Sequence, residues 1–220
     1  MTFNVAIDGP AGAGKSTIAK EVAKRTGFMY VDTGAMYRAM ALYFLEKGID
    51  SNDKEKIVET CRDANISIAY QGDNQQIFLD GENVTSKVRD ESVGNITSQI
   101  AGIYEVRQHL LNIQRTLAKQ HNIVMDGRDI GTEILPEAQV KIFLTASVDV
   151  RAKRRFLELT EKGISCDLEE IKQDISQRDY RDSNRKVSPL RQADDAILVD
   201  SSYMSIDEVV EEIVRRVRLL

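Results

Sequence analysis

The sequence has 220 residues, of which 42% are hydrophobic and 30% are charged, a balance that is typical of a folded globular domain. Its formal net charge of −5 argues against a general nucleic-acid or membrane surface, and its apolar runs are far shorter than the roughly 18 residues that span a bilayer. The two cysteines, Cys61 and Cys166, are too few and too far apart for a disulfide framework or a zinc site, so we expect a cytoplasmic protein.

Five short runs of apolar, mostly branched side chains predict strands that are buried in a parallel sheet. These runs occupy residues 3–7, 28–31, 123–125, 140–144 and 196–199. Amphipathic stretches separate them, and one of these is predicted as a continuous helix, because its apolar residues keep near one helical face: Ile96, Ile100, Ile103, Leu110 and Leu117. The alternation predicts an α/β fold with a five-stranded parallel sheet flanked by helices.

One region, residues 66–84, departs from this alternation. Apolar and polar residues alternate within 66–70 and around 77–79, and the sequences GDN at 72–74 and DG at 80–81 favour turns. These runs are too close together for crossover helices, so they predict a small antiparallel sheet inserted into the core. We expect one domain over residues 1–220, with its core at about 1–40 and 95–220 and the insert at about 41–94.

The segment GPAGAGKS at residues 9–16 fits the pattern G-x-x-x-x-G-K-[ST] and lies between a predicted strand and a predicted helix. Its glycines allow backbone N–H groups to point inward, and the following helix N-terminus favours phosphate. Lys15 is expected to reach the β- and γ-phosphates, and the Ser16 hydroxyl to ligate Mg²⁺. The residues expected to hold the triphosphate are Gly9, Pro10, Ala11, Gly12, Ala13, Gly14, Lys15, Ser16 and Thr17.

This pattern predicts nucleoside triphosphate binding but does not by itself separate a kinase from a GTPase or a motor. The sequence has no Asn-Lys-x-Asp guanine signature, and it is short for a motor with accessory modules. A kinase for a small acceptor needs a second anion pocket, and two further segments are candidates for it.

Each candidate segment follows a predicted strand, at the end where α/β sheets bind ligands. Asp126-Gly127-Arg128-Asp129 follows the strand at 123–125, and Asp126 is positioned to orient Mg²⁺. Thr33 follows the strand at 28–31 and is expected to cap the next helix, in which Arg38 suits a phosphate. A surface turn at 126–129 and a solvated Arg38 are the alternative interpretations.

Cations are concentrated in the C-terminal part of the chain. Residues 151–155 contain four of them, and Arg178, Arg181 and Arg185 are spaced to share one side of a helix with Asp182. A solvated, salt-bridged face is the alternative interpretation. In a net acidic chain, however, cations concentrated in two blocks favour a role in phosphoryl transfer, which needs positive charge around the transferred group.

Four segments together resemble the bacterial cytidylate kinases, which are P-loop nucleoside-monophosphate kinases. They are GPAGAGKST at 9–17, DTGAMYR at 32–38, DGRDIGT at 126–132 and RDYRDSNR at 178–185, and the resemblance extends from residue 7 to residue 199. It implies transfer of the γ-phosphoryl group of ATP to CMP or dCMP with Mg²⁺. It also implies that the insert is the nucleoside-monophosphate-binding region and that a helical lid covers residues of about 150–165.

The resemblance also implies individual roles. Arg38, Arg128 and Arg185 would hold the acceptor phosphate, Thr33, Arg107 and Asp129 would face the cytosine, and Ser98, Arg178 and Asp182 would hold the sugar. Ser16 and Asp126 would hold the metal, and Arg151 and Arg155 would close over ATP. Catalytic roles are expected for Lys15, Arg128, Arg185 and Arg154.

Two competing functions remain at this point. One is a kinase for another small acceptor, such as UMP or a non-nucleotide metabolite, and the Arg107 and Asp129 pair discriminates against it. The other is a non-catalytic P-loop switch, which has no need for a second phosphate pocket. The expected partners are CMP, dCMP and ATP, with no nucleic acid and no membrane, and we expect a monomer.

Overall fold

The structure of the chain is a computed structural model that describes residues 2–72 and 74–220. Asp73, in the predicted turn at 72–74, lies outside the described residues. The elements in chain order are β1 (Asn4–Asp8), α1 (Lys15–Thr26), β2 (Met29–Asp32), α2 (Thr33–Glu46), α3 (Lys54–Thr60), β3 (Ile66–Gln71), β4 (Asn74–Leu79), β5 (Glu82–Asn83), α4 (Glu91–Ile100), α5 (Tyr104–Gln120), β6 (Ile123–Gly127), β7 (Val140–Thr145), α6 (Val148–Glu161), α7 (Leu168–Asn184), β8 (Ile197–Asp200) and α8 (Ile206–Arg218).

A five-stranded parallel sheet forms the centre of the fold, with strand order β2-β6-β1-β7-β8. All five predicted strands are confirmed, with ends that differ by one or two residues. In the register of the sheet, Asp126 of β6 lies beside both Ile7 of β1 and Asp32 of β2. The carboxyl ends of these three strands therefore meet at one edge, which is where the predicted polar segments begin.

Helices cover both faces of the sheet, which explains why its central strands are apolar throughout. On one face, Ile18 and Val22 of α1 pack with Val209 and Ile213 of α8. On the other face, the β6 residue Met125 packs with side chains of α5 and of the turn at Ile130–Ile134. The predicted α/β fold with a helix-flanked parallel sheet is thus confirmed.

The predicted antiparallel sheet is also confirmed, as β3, β4 and the two-residue β5. Its buried residues Ile66, Ile77 and Leu79 pack on helix α2. Two polar contacts join it to the edge strand β2: the Tyr70 hydroxyl donates to the Tyr30 carbonyl (2.8 Å), and the Gln75 side chain bonds both backbone groups of Asp32. The predicted insert boundaries, 41 and 94, fall inside α2 and α4 and stay a prediction.

The continuous helix predicted across residues 96–117 is wrong, because α4 ends at Ile100 and α5 begins at Tyr104. Ile103 has extended backbone angles (φ −85°, ψ 123°), and Gly102 before it has a weak helix propensity. The break leaves the Ala101 carbonyl free of helix hydrogen bonding, and it accepts from Nη1 of Arg107 at 3.0 Å. Apolar periodicity alone does not indicate this break. The break matters because the carbonyl that it frees helps to hold Arg107.

Helices α6 and α7 pack on each other through Ala152, Ile171 and Ile175. They include the segment predicted as a lid at about 150–165, whose movement stays a prediction. In the described part of the chain, no helix has both the length and the apolar character that crossing a membrane requires.

Candidate active site

A cavity of about 320 Å³ opens at the carboxyl ends of β1, β2 and β6. Its lining combines the glycine-rich loop with polar or charged side chains from α2, α4, α5 and α7. The structure brings together in this lining all the residues predicted to bind the acceptor: Thr33, Arg38, Ser98, Arg107, Arg128, Asp129, Arg178, Asp182 and Arg185. The predicted metal ligands, Ser16 and Asp126, lie in the same lining.

The glycine-rich loop curls between β1 and α1, as its sequence predicts. Gly9 has φ +150°, and a Cβ atom there would lie 1.9 Å from the Leu144 carbonyl oxygen, so only glycine fits. Lys15 is buried, and its Nζ donates to the Pro10 carbonyl at 2.7 Å. Burial, with repulsion from Arg128, holds the pKa of Lys15 well below its usual value.

Part of this loop faces the cavity and part supports it from behind. The residues in the lining are Ala11, Gly12, Gly14, Lys15, Ser16 and Thr17, whereas Gly9, Pro10 and Ala13 lie outside it. The loop thus exposes the start of helix α1, where backbone N–H groups and the helix dipole favour phosphate.

Ser16 and Asp126 meet where the loop adjoins β6. The Ser16 hydroxyl donates to Oδ2 of Asp126 at 3.0 Å, and the Tyr30 hydroxyl donates to Oδ1 at 2.8 Å. Burial, with the nearby charge of Asp32, raises the pKa of Asp126 to about 6. A hydroxyl and a carboxylate beside the glycine-rich loop are hard oxygen donors of the kind that Mg²⁺ prefers, so the residues present fit this ion.

Asp8, at the carboxyl end of β1, is a site-supporting residue that the sequence interpretation missed. Its two carboxylate oxygens accept from the backbone N–H groups of Ile130 and Gly131, each at 2.7 Å. Burial raises the pKa of Asp8 to about 6. The carboxylate therefore ties the end of the strand before the phosphate loop to the turn that follows Asp129. Its place at a strand end, like that of Asp126, was the available signal.

The residues at the end of β2 also differ in detail from their prediction. Thr33 does not cap helix α2; the N-cap is Asp32, whose side chain accepts from the Ala35 N–H at 2.9 Å. Thr33 is the first helical residue, and its hydroxyl donates to the Asp126 carbonyl at 2.7 Å. The approach is so close that a Cβ atom on Gly127 would lie 2.8 Å from the Thr33 hydroxyl oxygen.

Asp129 is the centre of a buried charged cluster in the lining of the cavity. One carboxylate oxygen pairs with Arg107, and the other lies 3.5 Å from Nη2 of Arg185. Arg107 also lies over the ring of Tyr37, 5.5 Å from its centroid. The two arginines and the carboxylate thus present fixed donors and acceptors to a small planar ligand.

The arginines on α7 differ in their positions. Arg178 faces the cavity, and in the described part of the chain its Nε has no hydrogen-bond partner. Burial, with repulsion from Arg128, lowers its pKa to about 10. Arg181 is exposed, and Arg185 is the residue after the helix end rather than part of it. Asp182 pairs with Arg128 at 3.0 Å.

The cations at 151–155 do not line the cavity in the described structure. Arg151 is buried against the phosphate loop, where it donates to the Ala11 carbonyl at 2.8 Å and pairs with Asp179 at 2.7 Å. Arg154 donates to the carbonyl of Ser201 at 2.7 Å. Arg155 pairs with Glu158 at 2.8 Å.

Some residues of the lining were not predicted from the sequence. Asp32, Tyr37 and Thr97 are buried polar or aromatic residues, and Arg89 pairs with Asp32 at 3.2 Å. Tyr37 lies inside the segment at 32–38 that was already singled out. Thr97 and Arg89 lie close to Ser98 and to the end of the insert, and no local pattern distinguishes them.

Taken together, the fold and the cavity define a class of protein. A parallel sheet, a phosphate loop at its carboxyl edge and a neighbouring pocket rich in arginine are the parts that a P-loop kinase for a small anionic acceptor requires.

Comparison with known proteins agrees with this class and narrows it. A sequence model of the cytidylate kinase family matches residues 5–219. A cytidylate kinase of Pediococcus pentosaceus is 53% identical over 213 residues, which are 97% of this chain and 94% of the relative. A cytidylate kinase of Caldicellulosiruptor saccharolyticus is 51% identical over 211 residues, which are 96% of this chain and 93% of the relative. The chain belongs to the cytidylate kinase family and is a phosphotransferase with cytidylate kinase function.

A solved structure of an uncharacterized protein from Eubacterium ventriosum has a similar fold. It covers 99% of both chains with a TM-score of 0.52 and 13% sequence identity. At this identity the likeness concerns the fold alone.

Proposed function

We propose that the protein transfers the γ-phosphoryl group of ATP to CMP or dCMP, giving ADP and CDP or dCDP. The observation that carries this proposal is that the glycine-rich loop and the Asp129 cluster line the same cavity. One end suits a triphosphate and the other suits a pyrimidine nucleotide. The arrangement would place donor and acceptor phosphates next to each other, as in-line transfer needs.

At the donor end, the loop N–H groups and Lys15 hold the triphosphate. Lys15 has a lowered pKa but is expected to be charged when phosphates surround it, because their negative charge favours the ammonium form. Ser16 and Asp126 are the residues that would hold Mg²⁺. When bound, Mg²⁺ supplies positive charge to the triphosphate oxygens.

At the acceptor end, the cluster around Asp129 matches the polar edge of cytosine. Cytosine offers an amine donor at C4 and acceptors at N3 and O2. Asp129 accepts from the amine and Arg107 donates to the ring acceptors, while Thr33 lies against the same region. Uracil would turn an oxygen toward the Asp129 carboxylate, and unpaired buried polar groups of this kind disfavour binding.

The remaining charged residues divide between phosphate and sugar. Arg38, Arg128 and Arg185 hold the acceptor phosphate, and Ser98, Arg178 and Asp182 hold the sugar. The cavity contains more arginine than carboxylate partners can neutralise, since Arg178 has no ion-pair partner among the described residues. Clustered cations of this kind are expected where an anionic group binds.

The transfer itself needs no general base, because the acceptor is an already anionic phosphate oxygen. Catalysis then consists of positioning the two phosphates and stabilising the charge of the transferred group, with Lys15, Arg128 and Arg185 around it. This stabilisation by the protein is effective because Lys15 is buried and the side chains of Arg128 and Arg185 are only 20% and 11% exposed.

The lid part of the proposal requires movement. Arg151 already contacts the phosphate loop, but Arg154 and Arg155 are bonded elsewhere and reach the transferred group only if helix α6 shifts when ATP binds. Such closure would also exclude water, which otherwise hydrolyses ATP. We also propose that one chain suffices for activity, as a monomer.

The experiment that tests the function is a panel of acceptors in an ADP-release assay with ATP and Mg²⁺. We expect turnover with CMP and dCMP, and far lower kcat/KM with UMP and AMP. Turnover of UMP equal to that of CMP would contradict the base assignment. ATP binding without turnover of any acceptor would favour a non-catalytic switch instead.

A further inference from the structure

Ser188 follows helix α7 and has a backbone conformation that serine rarely adopts. Its φ is +48°, in the left-handed region that favours glycine, and the next residue, Pro189, further disfavours helical conformations. The segment is held against α7, because the Leu190 N–H donates to the Asp182 carbonyl at 2.8 Å. Unfavourable backbone of this kind persists where surrounding contacts fix it, and it is concentrated at functional sites.

The contacts of Ser188 involve both arginines of the Asp129 cluster. Nε of Arg107 donates to the Ser188 hydroxyl oxygen at 3.1 Å, and Nε of Arg185 donates to the Ser188 carbonyl. Both arginines also contact the carboxylate of Asp129. Arg107, Ser188, Arg185 and Asp129 therefore form a closed ring of hydrogen bonds. The left-handed backbone lets one residue offer its side chain to one arginine and its carbonyl to the other.

This anchoring leaves part of each guanidinium free. In Arg107, Nε bonds to Ser188, one Nη1 hydrogen to Ala101 and one Nη2 hydrogen to Asp129. Each Nη carries two hydrogens, so one on each remains for a ligand. Ser188 itself is not in the lining of the cavity as the described residues define it. It fixes the orientation of the guanidinium from behind.

We propose that Ser188 is a positioning residue that orients Arg107 and Arg185 toward the acceptor nucleotide and strengthens the preference for cytosine over uracil. The proposal rests on the proposed function, in which Arg107 faces the base and Arg185 the phosphate. An arginine whose Nε has no hydrogen-bond partner adopts several orientations and binds a planar ligand less selectively, because binding must then also order the side chain, which costs conformational entropy.

The test measures the kinetics of the variant Ser188→Gly. It compares CMP with UMP as acceptors, and the KM for CMP with the KM for ATP. Glycine tolerates the positive φ and keeps the carbonyl bond to Arg185, but it removes the hydroxyl that holds Arg107. We expect KM for CMP to rise about tenfold, as loss of a hydrogen bond to a charged group allows, and the CMP-to-UMP ratio of kcat/KM to narrow. KM for ATP is expected to stay within about twofold, since the donor end is untouched.

Two further variants separate positioning from a fold defect. Lys186→Gly is the matched control, because Lys186 is an exposed residue of the same loop outside the cavity lining, so it introduces a glycine without removing a contact to Arg107; we expect unchanged constants for both substrates. In an Arg107→Ala background, Ser188→Gly is expected to add no further change in KM for CMP, since it acts through that arginine.

Three outcomes would overturn the proposal: an unchanged KM for CMP in Ser188→Gly, an equal rise in KM for ATP, or additive effects in the double variant. Wild-type turnover of CMP is measured in the same series. A wild-type protein without that turnover contradicts the proposed function, whereas an active wild type with an unaffected Ser188→Gly contradicts only the role of Ser188.

Discussion

The hydroxyl of Ser16 donates a 3.0 Å hydrogen bond to Oδ2 of Asp126, although 110 residues separate the two in the chain. The contact joins the start of helix α1 to the end of β6, and Tyr30 orients the carboxylate from its other oxygen. The pair therefore joins the phosphate loop and the end of β6 in one oxygen-donor site, through which the two distant motifs would act on the same triphosphate in the proposed function.

Asp126→Asn is expected to raise the Mg²⁺ concentration needed for half-maximal activity by at least about tenfold, because the anionic ligand is lost while the shape is kept. A titration of Mg²⁺ at fixed ATP and CMP measures it. Tyr30→Phe is the matched control, since it removes one hydrogen bond to the same carboxylate but leaves its charge, and its effect is expected to be clearly smaller. Equal Mg²⁺ requirements in Asp126→Asn and wild type would contradict the assignment.

Lys15→Ala is expected to lower kcat by about 10²–10³-fold or more, by analogy with the loss of one preorganised stabilising donor. Lys20→Ala provides the control on the same helix, because Lys20 is exposed and lies outside the cavity lining. Steady-state turnover and melting temperature of both variants are measured together. Near-normal turnover in Lys15→Ala would show that the loop does not act on the transferred phosphoryl group.

Asp129→Ala is expected to raise KM for CMP and to narrow the preference for CMP over UMP. In the proposed function the carboxylate accepts from the cytosine amine, and its removal also leaves Arg107 and Arg185 without their shared partner. Steady-state kinetics with each acceptor measure the two effects. If the variant keeps the wild-type preference while KM rises for both acceptors alike, Asp129 supports the pocket without reading the base.

Arg178→Ala is expected to weaken CMP binding by about tenfold and to spare ATP, because Arg178 lines the cavity and is proposed to hold the sugar of CMP. Arg181→Ala is the control one turn further along α7, where the side chain is exposed. Calorimetric titration of each nucleotide distinguishes the effects. An equal loss of both affinities in Arg178→Ala, with a lowered melting temperature, would indicate a general fold defect.

Arg154→Ala tests the predicted lid, since Arg154 is bonded to Ser201 in the structure and acts on the transferred group only after a movement of α6. If the lid closes as proposed, kcat falls by about tenfold or more while KM for CMP is unchanged. Lys153→Ala is the control, because Lys153 is exposed on the same helix. Unchanged turnover in Arg154→Ala would assign this arginine to the packing of α6 alone.

The sequence allowed the fold and most of the cavity to be predicted, because both depend on short local patterns. The strands are continuous apolar runs, and each polar segment that follows them lies at the carboxyl edge by the rule for parallel sheets. Thr33, Arg38, Arg128 and Asp129 line the cavity for this reason. The other acceptor residues do not follow strands, and their roles came from the family resemblance: Ser98, Arg107, Arg178, Asp182 and Arg185. The strand order and the register that place Asp32 beside Asp126 were not predicted and come from the structure.

What could not be predicted depends on contacts between distant backbone groups. Ser188 accepts from Arg107 through its hydroxyl and from Arg185 through its carbonyl, and residue type does not indicate its unusual φ or either partner. The break between α4 and α5 is hidden because apolar spacing continues across it. Arg154 donates to Ser201, which lies 47 residues away in the chain, so its sequence neighbours Arg151 and Arg155 do not reveal its orientation.

Asp8→Asn is expected to change how stability depends on pH in the nucleotide-free protein. Burial raises the pKa of Asp8 from 3.8 to about 6, so the folded state retains a proton that the unfolded state has released between these values. The contribution of Asp8 to the free energy of unfolding is therefore fully present below about pH 4 and is lost as the pH rises through about 6. Over this window the loss is on the order of 3 kcal/mol.

Asparagine does not titrate, and its single oxygen serves only one of the two N–H groups of Ile130 and Gly131. We therefore expect the stability of Asp8→Asn to be lower than wild type at pH 4 and the difference to shrink toward pH 7. Urea denaturation at half-unit pH steps measures both curves, and titration of other groups cancels in the comparison. Two parallel curves would show that Asp8 does not hold its proton up to about pH 6 in the folded protein.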